Sequence, residues 1–134
     1  LIQEPHVTQY KVRGLSLKNY DLIYTFTEGI TPRTCVLVHR KWGATPTTWN
    51  NNKDITSVMV STKRRDGSMQ RTVFTSVYCA GDRITPVPYA LEELTAWCQT
   101  NQHEIVIGAD TNAHSTTWGE RYTDGPENVI SWVQ

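Results

Sequence analysis

The sequence predicts a mixed α/β (α+β) fold, a mixed sheet packed against helices, and three observations carry that expectation. Short β-branched runs dominate the first half, as in Cys35-Val36-Leu37-Val38-His39 and Ile55–Thr62. Between Ile55–Thr62 and Thr72–Tyr78 lies Asp66-Gly67, a pair that favours tight hairpin turns, so the two runs read as antiparallel neighbours. A helical pattern follows, with Leu91, Leu94, Trp97 and Cys98 on one face at a period of 3.6 residues. It separates Thr72–Tyr78 from the apolar run Ile105-Val106-Ile107, as a crossover between strands would. Antiparallel pairs with one helical crossover imply a mixed sheet with helices against it.

Taken in order, Leu1-Ile2-Gln3 reads as the tail of a strand halted at Glu4-Pro5, with Glu4 held extended by the proline after it. His6 to Asn19 is polar and irregular, with Arg13-Gly14-Leu15 as a turn. Asp21–Thr27 reads as a strand closed by Glu28-Gly29. Pro32-Arg33-Thr34 leads into Cys35–His39, whose unbroken apolar character suggests burial on both faces. Trp42 to Lys53 is a loop rich in Thr and Asn, with Trp49 expected to hold it down. Pro86 or Pro88 opens the helix, which runs to about Thr100 and keeps Glu92 and Glu93 outward near its positive end. After Gly125-Pro126 the spacing of Val129, Ile130 and Val133 suggests another helix beginning.

Thirteen basic residues balance thirteen acidic ones. No global positive field therefore advertises nucleic-acid binding, although a local patch suffices for it. The basic cluster Lys63-Arg64-Arg65 at the hairpin reads first as a solvated edge and only second as a phosphate contact. No apolar run approaches the roughly 20 residues of a membrane helix. Cys35, Cys79 and Cys98 are odd in number and form no CxxC pair, which argues against a disulfide framework or structural zinc and fits a reducing compartment. Their positions make them core filler. The chain opens at Leu1 without Met or leader and stops at Trp132-Val133-Gln134 inside an apolar pattern, so both ends read as cut.

Four polar positions stand at or beside predicted strand ends: Glu4, Tyr78, Asp110 and Asn112. The run from Glu104 reaches Gly108 and then delivers Asp110 and Asn112 with one residue between them. In extended backbone such a pair shares a face. Alone, the stretch is first of all a turn. Acid, phenol, acid and amide together suit magnesium and phosphate, since Mg²⁺ takes one or two carboxylates plus waters and phosphate oxygens. Such an ion polarises a phosphoryl oxygen, a second acid serves the attacking water, and neutral donors hold the phosphate. A zinc reading of Asp110 with His114 lacks both HExxH spacing and a second clustered histidine.

Ile2-Gln3-Glu4-Pro5, then Ser76-Val77-Tyr78, then Gly108-Ala109-Asp110-Thr111-Asn112-Ala113-His114 with Trp118-Gly119 occur in this order at suitable intervals. Together they resemble the endonuclease–exonuclease–phosphatase family, and more narrowly the apurinic-type endonuclease domain of non-LTR retrotransposons of the insect type. Arg13-Gly14-Leu15, Pro32-Arg33 and the strand start at Asp54 fit the same pattern. The resemblance covers essentially residues 1–134, and Asn112-Ala113-His114 with Trp118-Gly119 is its most specific part. It implies a DNase I-like four-layer sandwich, mixed β-sheets flanked by helices, and phosphodiester hydrolysis dependent on Mg²⁺ (or Mn²⁺). It implies DNA as the partner, a nick whose 3′-hydroxyl primes reverse transcription, a reverse transcriptase domain in the same polypeptide and a nuclear location. Neither a membrane nor a small-molecule cofactor is expected. By the resemblance Glu4 is the metal-binding glutamate, and Tyr78 the tyrosine that contacts the scissile phosphate. Asp110 matches the aspartate that orients or activates the attacking water, and Asn112 the asparagine that holds phosphate and catalytic network. His114 is a candidate for the site wall and Trp118 for packing.

The chain also departs from the pattern. Nothing here matches the family's first strand with its asparagine, or its Ser-Asp-His type segment with an essential histidine. Thr111 stands where phenylalanine is commoner, and Ala109 is a variant. The chain is accordingly expected to be an internal fragment, inactive or impaired by itself. Two other readings compete: a catalytically dead remnant that only folds or binds, and a phosphodiesterase or phosphatase of the same fold. His114 and Trp118-Gly119 argue against the latter.

Overall fold

Asp66-Gly67 closes the longest strand pairing among the described residues. The computed structural model describes residues 1–81 and 87–112. Its elements are β1 (Ile2–Gln3), β2 (Val7–Thr8), β3 (Lys11–Val12), β4 (Tyr20–Ile23), β5 (Thr34–His39), β6 (Thr45–Pro46), β7 (Ile55–Lys63), β8 (Met69–Tyr78), α1 (Tyr89–Thr100) and β9 (Glu104–Asp110). β7 and β8 pair antiparallel from Ile55↔Val77 to Lys63↔Met69. Gly67, at φ 87°, supplies the left-handed residue their turn needs. Pro88 then caps α1, which carries the chain back so that β9 runs parallel to β8, from Thr72↔Glu104 to Tyr78↔Asp110.

The result is a four-stranded mixed sheet, β6-β7-β8-β9, and a three-stranded antiparallel sheet, β1-β5-β4. Alternation along the strands sorts the side chains onto two faces. Ile55, Val73 and Val77 join Leu91, Leu94 and Cys98 of α1 in the main core, with Ile105 and Ile107 packed against it. The opposite face of the same sheet, bearing Thr56, Val58, Phe74 and Ser76, meets the smaller sheet. Helix, sheet and sheet are thus stacked as three layers among the described residues, and β2–β3 is a separate hairpin.

The expected strands, hairpin, crossover and helix stand close to the predicted places, and Cys35, Cys79 and Cys98 are all buried. Four local expectations need correction. Glu4 is not extended: its φ is 47°, and its N–H bonds to the Arg33 carbonyl at 2.8 Å. The irregular stretch after His6 contains the β2–β3 hairpin, whose two-residue turn, Gln9-Tyr10, has both φ values positive. The strand predicted from Asp21 ends at Ile23. β5 is buried only in its first half.

Trp49 touches Trp97 edge-on at 5.8 Å but is 54% exposed, so it is not the main anchor of its loop. Amide side chains anchor the loop instead. Asn51 exchanges hydrogen bonds with the Ser57 backbone, and Asn52 Oδ1 accepts from the Asp54 and Ile55 N–H groups. The predicted helix near Val129 and the position of Pro86 lie outside the described residues.

Candidate functional site

β5, β7, β8 and β9 bring one end of each strand to the same rim. Tyr78 and Asp110 are register partners at the C-terminal ends of the parallel strands β8 and β9. Ile55 opens β7 opposite Val77, so Asp54 stands beside them. Arg33, just ahead of β5, is the link. Its guanidinium donates to Asp54 Oδ1 at 2.6 Å and lies over the Tyr78 ring, 4.4 Å from the centroid. Its carbonyl accepts from Glu4 N–H, which brings the residue after β1 to the same rim. A continuous set of contacts therefore runs Glu4, Arg33, Tyr78, with Asp110 paired beside Tyr78.

The backbone here is tied down. Tyr78 N–H donates to the Asp54 carbonyl and Cys79 N–H to the Asp110 carbonyl, both at 2.8 Å. Asn112 Nδ2 donates to the Cys79 carbonyl at 2.9 Å, and Asn112 N–H to Asp110 Oδ1 at 3.1 Å. Asn112 thus reaches the site by a route other than extended backbone. Its φ is 48°, and the chain folds back in a turn capped by the Asp110 carboxylate. One amide N–H that could meet phosphate is spent on joining the ends of β8 and β9.

Glu4, directly after β1, and Asn112, two residues past the end of β9, both occupy left-handed backbone, as do Gln9, Tyr10, Asn19 and Gln102 elsewhere. Burial first, and then the negative charges of Asp110 and Asp54, push the thiol of Cys79 up to about 11.

Of the residues predicted from sequence, Tyr78, Asp110 and Asn112 stand together and Glu4 joins them through Arg33. His114 and Trp118 lie outside the described residues. Among the described residues no group of three or more His, Cys, Asp or Glu is arranged to hold a metal ion. Chemistry reasoning missed the Arg33–Asp54 pair, whose Asp54 side chain is only 5% exposed. Its sole signal was that Pro32-Arg33 and Asp54 fitted the family resemblance. No helix among the described residues is long and apolar enough to cross a membrane.

Comparison with known proteins agrees with this architecture. Residues 72–134 match the family model described as endonuclease-reverse transcriptase. That segment holds most of β8, all of α1 and β9, and the candidates Tyr78, Asp110, Asn112 and His114. The fold is similar to the endonuclease domain of TRAS1, a telomere-specific non-LTR retrotransposon, with a TM-score of 0.58 and 17% identity over 81% of this chain. The chain spans about half of that domain, 48% of its length. No curated protein matches the chain. In sequence motif and in fold, then, the chain resembles the DNase I-like endonuclease domain of non-LTR retrotransposons.

Proposed function

We propose that this chain carries the phosphodiester-cleaving face of a metal-dependent DNA endonuclease. The observation that carries the reading is the pairing of Tyr78 with Asp110 at one strand end, with Glu4 joined to them through Arg33. The donor set suits a hard cation, because Mg²⁺ or Mn²⁺ at a phosphate site takes only one or two protein carboxylates. Glu4 would hold it, and the bound ion supplies polarisation of a phosphoryl oxygen and neutralisation of the leaving oxyanion.

The chain's own residues do the rest. Asp110 orients a water and takes its proton as that oxygen bonds to phosphorus. The P–O3′ bond breaks, the 3′ oxygen leaves and is protonated, and a 5′-phosphate remains. Tyr78 donates its phenolic hydrogen to a non-bridging oxygen, and Arg33 keeps the ring in place. Asn112 holds the Asp110 carboxylate through its N–H. DNA is the partner, with a reverse transcriptase domain in the same nuclear polypeptide.

The test is nicking of supercoiled plasmid by the full-length protein. Nicking should require Mg²⁺ or Mn²⁺ and stop with EDTA. Asp110→Ala should lower the rate by about 10³-fold, as loss of a general base does, with an unchanged melting curve. Normal nicking by Asp110→Ala would remove the role assigned to it. Faster turnover of a small phosphate ester than of DNA would shift the reading to a phosphatase.

A further inference from the structure

We propose that Gln3 is a positioning residue of this site, its amide setting the spacing between Glu4 and the Tyr78–Asp110 pair. The proposal rests on the nuclease reading above and adds to it a residue with no contact to substrate.

Gln3 Nε2 donates twice, to Ser76 Oγ at 2.9 Å and to the Gly108 carbonyl at 2.8 Å. Ser76 Oγ, having accepted, donates its own hydrogen to the Ile2 carbonyl at 2.8 Å. Ser76 and Gly108 are register partners, and Tyr78 and Asp110 are the partners two residues further on, on the same face. Gln3 itself immediately precedes Glu4. One amide therefore ties together, one step behind the site, the three strands whose next outward residues are Glu4, Tyr78 and Asp110.

β1 needs such a tie. It is two residues long and pairs with β5 only through Ile2↔Cys35 and Gln3↔Thr34. Pairing with β5 fixes its place within the smaller sheet. Its placement over β8 and β9 depends on the Gln3 and Ser76 bonds and on Leu1 lying against Gly108. A Cβ at Gly108 would stand 3.0 Å from Leu1 Cδ1 and 3.1 Å from Leu1 Cβ, so the Leu1 side chain, just ahead of β1, would have to give by a few tenths of an ångström. The absence of a side chain at Gly108 leaves room for Leu1, the residue just ahead of the strand that leads to Glu4.

A neutral amide is also the fitting group chemically. Its NH₂ supplies two donors on one nitrogen, whereas a carboxylate at position 3 would set an acceptor against the Gly108 carbonyl. Methionine keeps the length and apolar stem but donates nothing. Displacements well under an ångström matter here, because reacting groups held out of line by about 1 Å lose about 100-fold in rate.

Steady-state nicking by the full-length protein tests this. Gln3→Met should lower kcat by about 30-fold, leave KM for plasmid within about twofold and leave the melting curve in place. Gly108→Ala, with Gln3 intact, should lower kcat in the same manner, and adding Leu1→Gly should restore most of it by removing the clash. Unchanged kcat in Gln3→Met beside an inactive Asp110→Ala would discard the positioning role and keep the nuclease. Loss of kcat matched by a melting transition lowered into the assay range, without rescue by Leu1→Gly, would reduce Gln3 to a structural residue. A wild-type protein that does not nick with either cation would remove the nuclease reading first, and the role of Gln3 with it.

Discussion

The two ends of the layer between the sheets are built from different chemistry. At one end Gln3, Thr34, Thr56 and Ser76 exchange hydrogen bonds across the layer, and the Arg33–Asp54 pair closes it. At the other, Val36, Val58, Val60 and Phe74 line a cavity of about 580 Å³ together with Tyr20 and Trp42. Apolar packing tolerates small shifts if volume is kept, whereas directional bonds set positions. Glu4, Tyr78, Asp110 and Asn112 all emerge at the polar end. The contrast assigns fixed positions, and the larger cost of losing a contact, to the polar end and tolerant packing to the apolar one, and each prediction below attacks that division.

The largest expected effect on stability is at the polar end. Asp54→Ala leaves the Arg33 guanidinium without its 2.6 Å partner in a largely buried setting. Breaking such a pair costs about 3–4 kcal/mol, measurable by urea unfolding, and it also frees the Tyr78 ring from its stacked cation. Val58→Ala at the apolar end, where Val58 is 1% exposed, should cost less, about 2 kcal/mol. Nicking by Val58→Ala should stay near wild type below its melting range. A larger loss for Val58→Ala than for Asp54→Ala would reverse the assignment of the two ends.

A smaller effect is confined to alkaline pH. Burial raises the thiol of Cys35 to about 11, as burial and two nearby acids do for Cys79. A thiol whose folded pKa lies above its unfolded value contributes stability that is fully present below the unfolded pKa and lost as pH rises through the folded one. The window is therefore about pH 9 to 11, with a loss of about 1 kcal/mol per thiol by pH 10. Urea midpoints at pH 7 and pH 10 measure it. Cys79→Ala should flatten the slope, and an unchanged slope would mean that the thiol is not shielded at the site end.

Much of the scaffold was legible because it rests on local rules. Asp66-Gly67 demanded a hairpin, the Leu91–Cys98 face demanded a packed helix, and the helix between two β-runs demanded a crossover. The β2–β3 hairpin was hidden because Gln9 and Tyr10 carry no turn signal, yet both take positive φ. Glu4 was misjudged because the proline rule acts on local sterics, while the Arg33 carbonyl captures its N–H from another strand. At the site, Tyr78 and Asp110 were readable as strand ends. Asp110 and Asn112 are joined by a turn and are not the extended pair that their spacing suggested. Arg33 with Asp54, and Gln3 with Gly108, were not readable as partners, since only tertiary structure brings residues so distant in sequence together.

The smallest effect expected lies at the far end of the hairpin. Arg64 donates to Gln70 at 2.9 Å and stands 3.9 Å from Glu104, with both charges more than half exposed. Pairs of that kind contribute under about 1 kcal/mol, so Arg64→Ala should shift the urea midpoint barely at all. The turn is also remote from the site, because the nine residues of β7 place it about 30 Å from Asp54 at the usual strand rise. KM for plasmid should therefore be unaffected by Arg64→Ala, Arg65→Ala or both. A several-fold rise in KM with a weaker salt dependence would mean that these cations neutralise phosphates. DNA would then lie along the full length of the sandwich, and the hairpin end would belong to the binding surface as much as Tyr78 and Asp110 do.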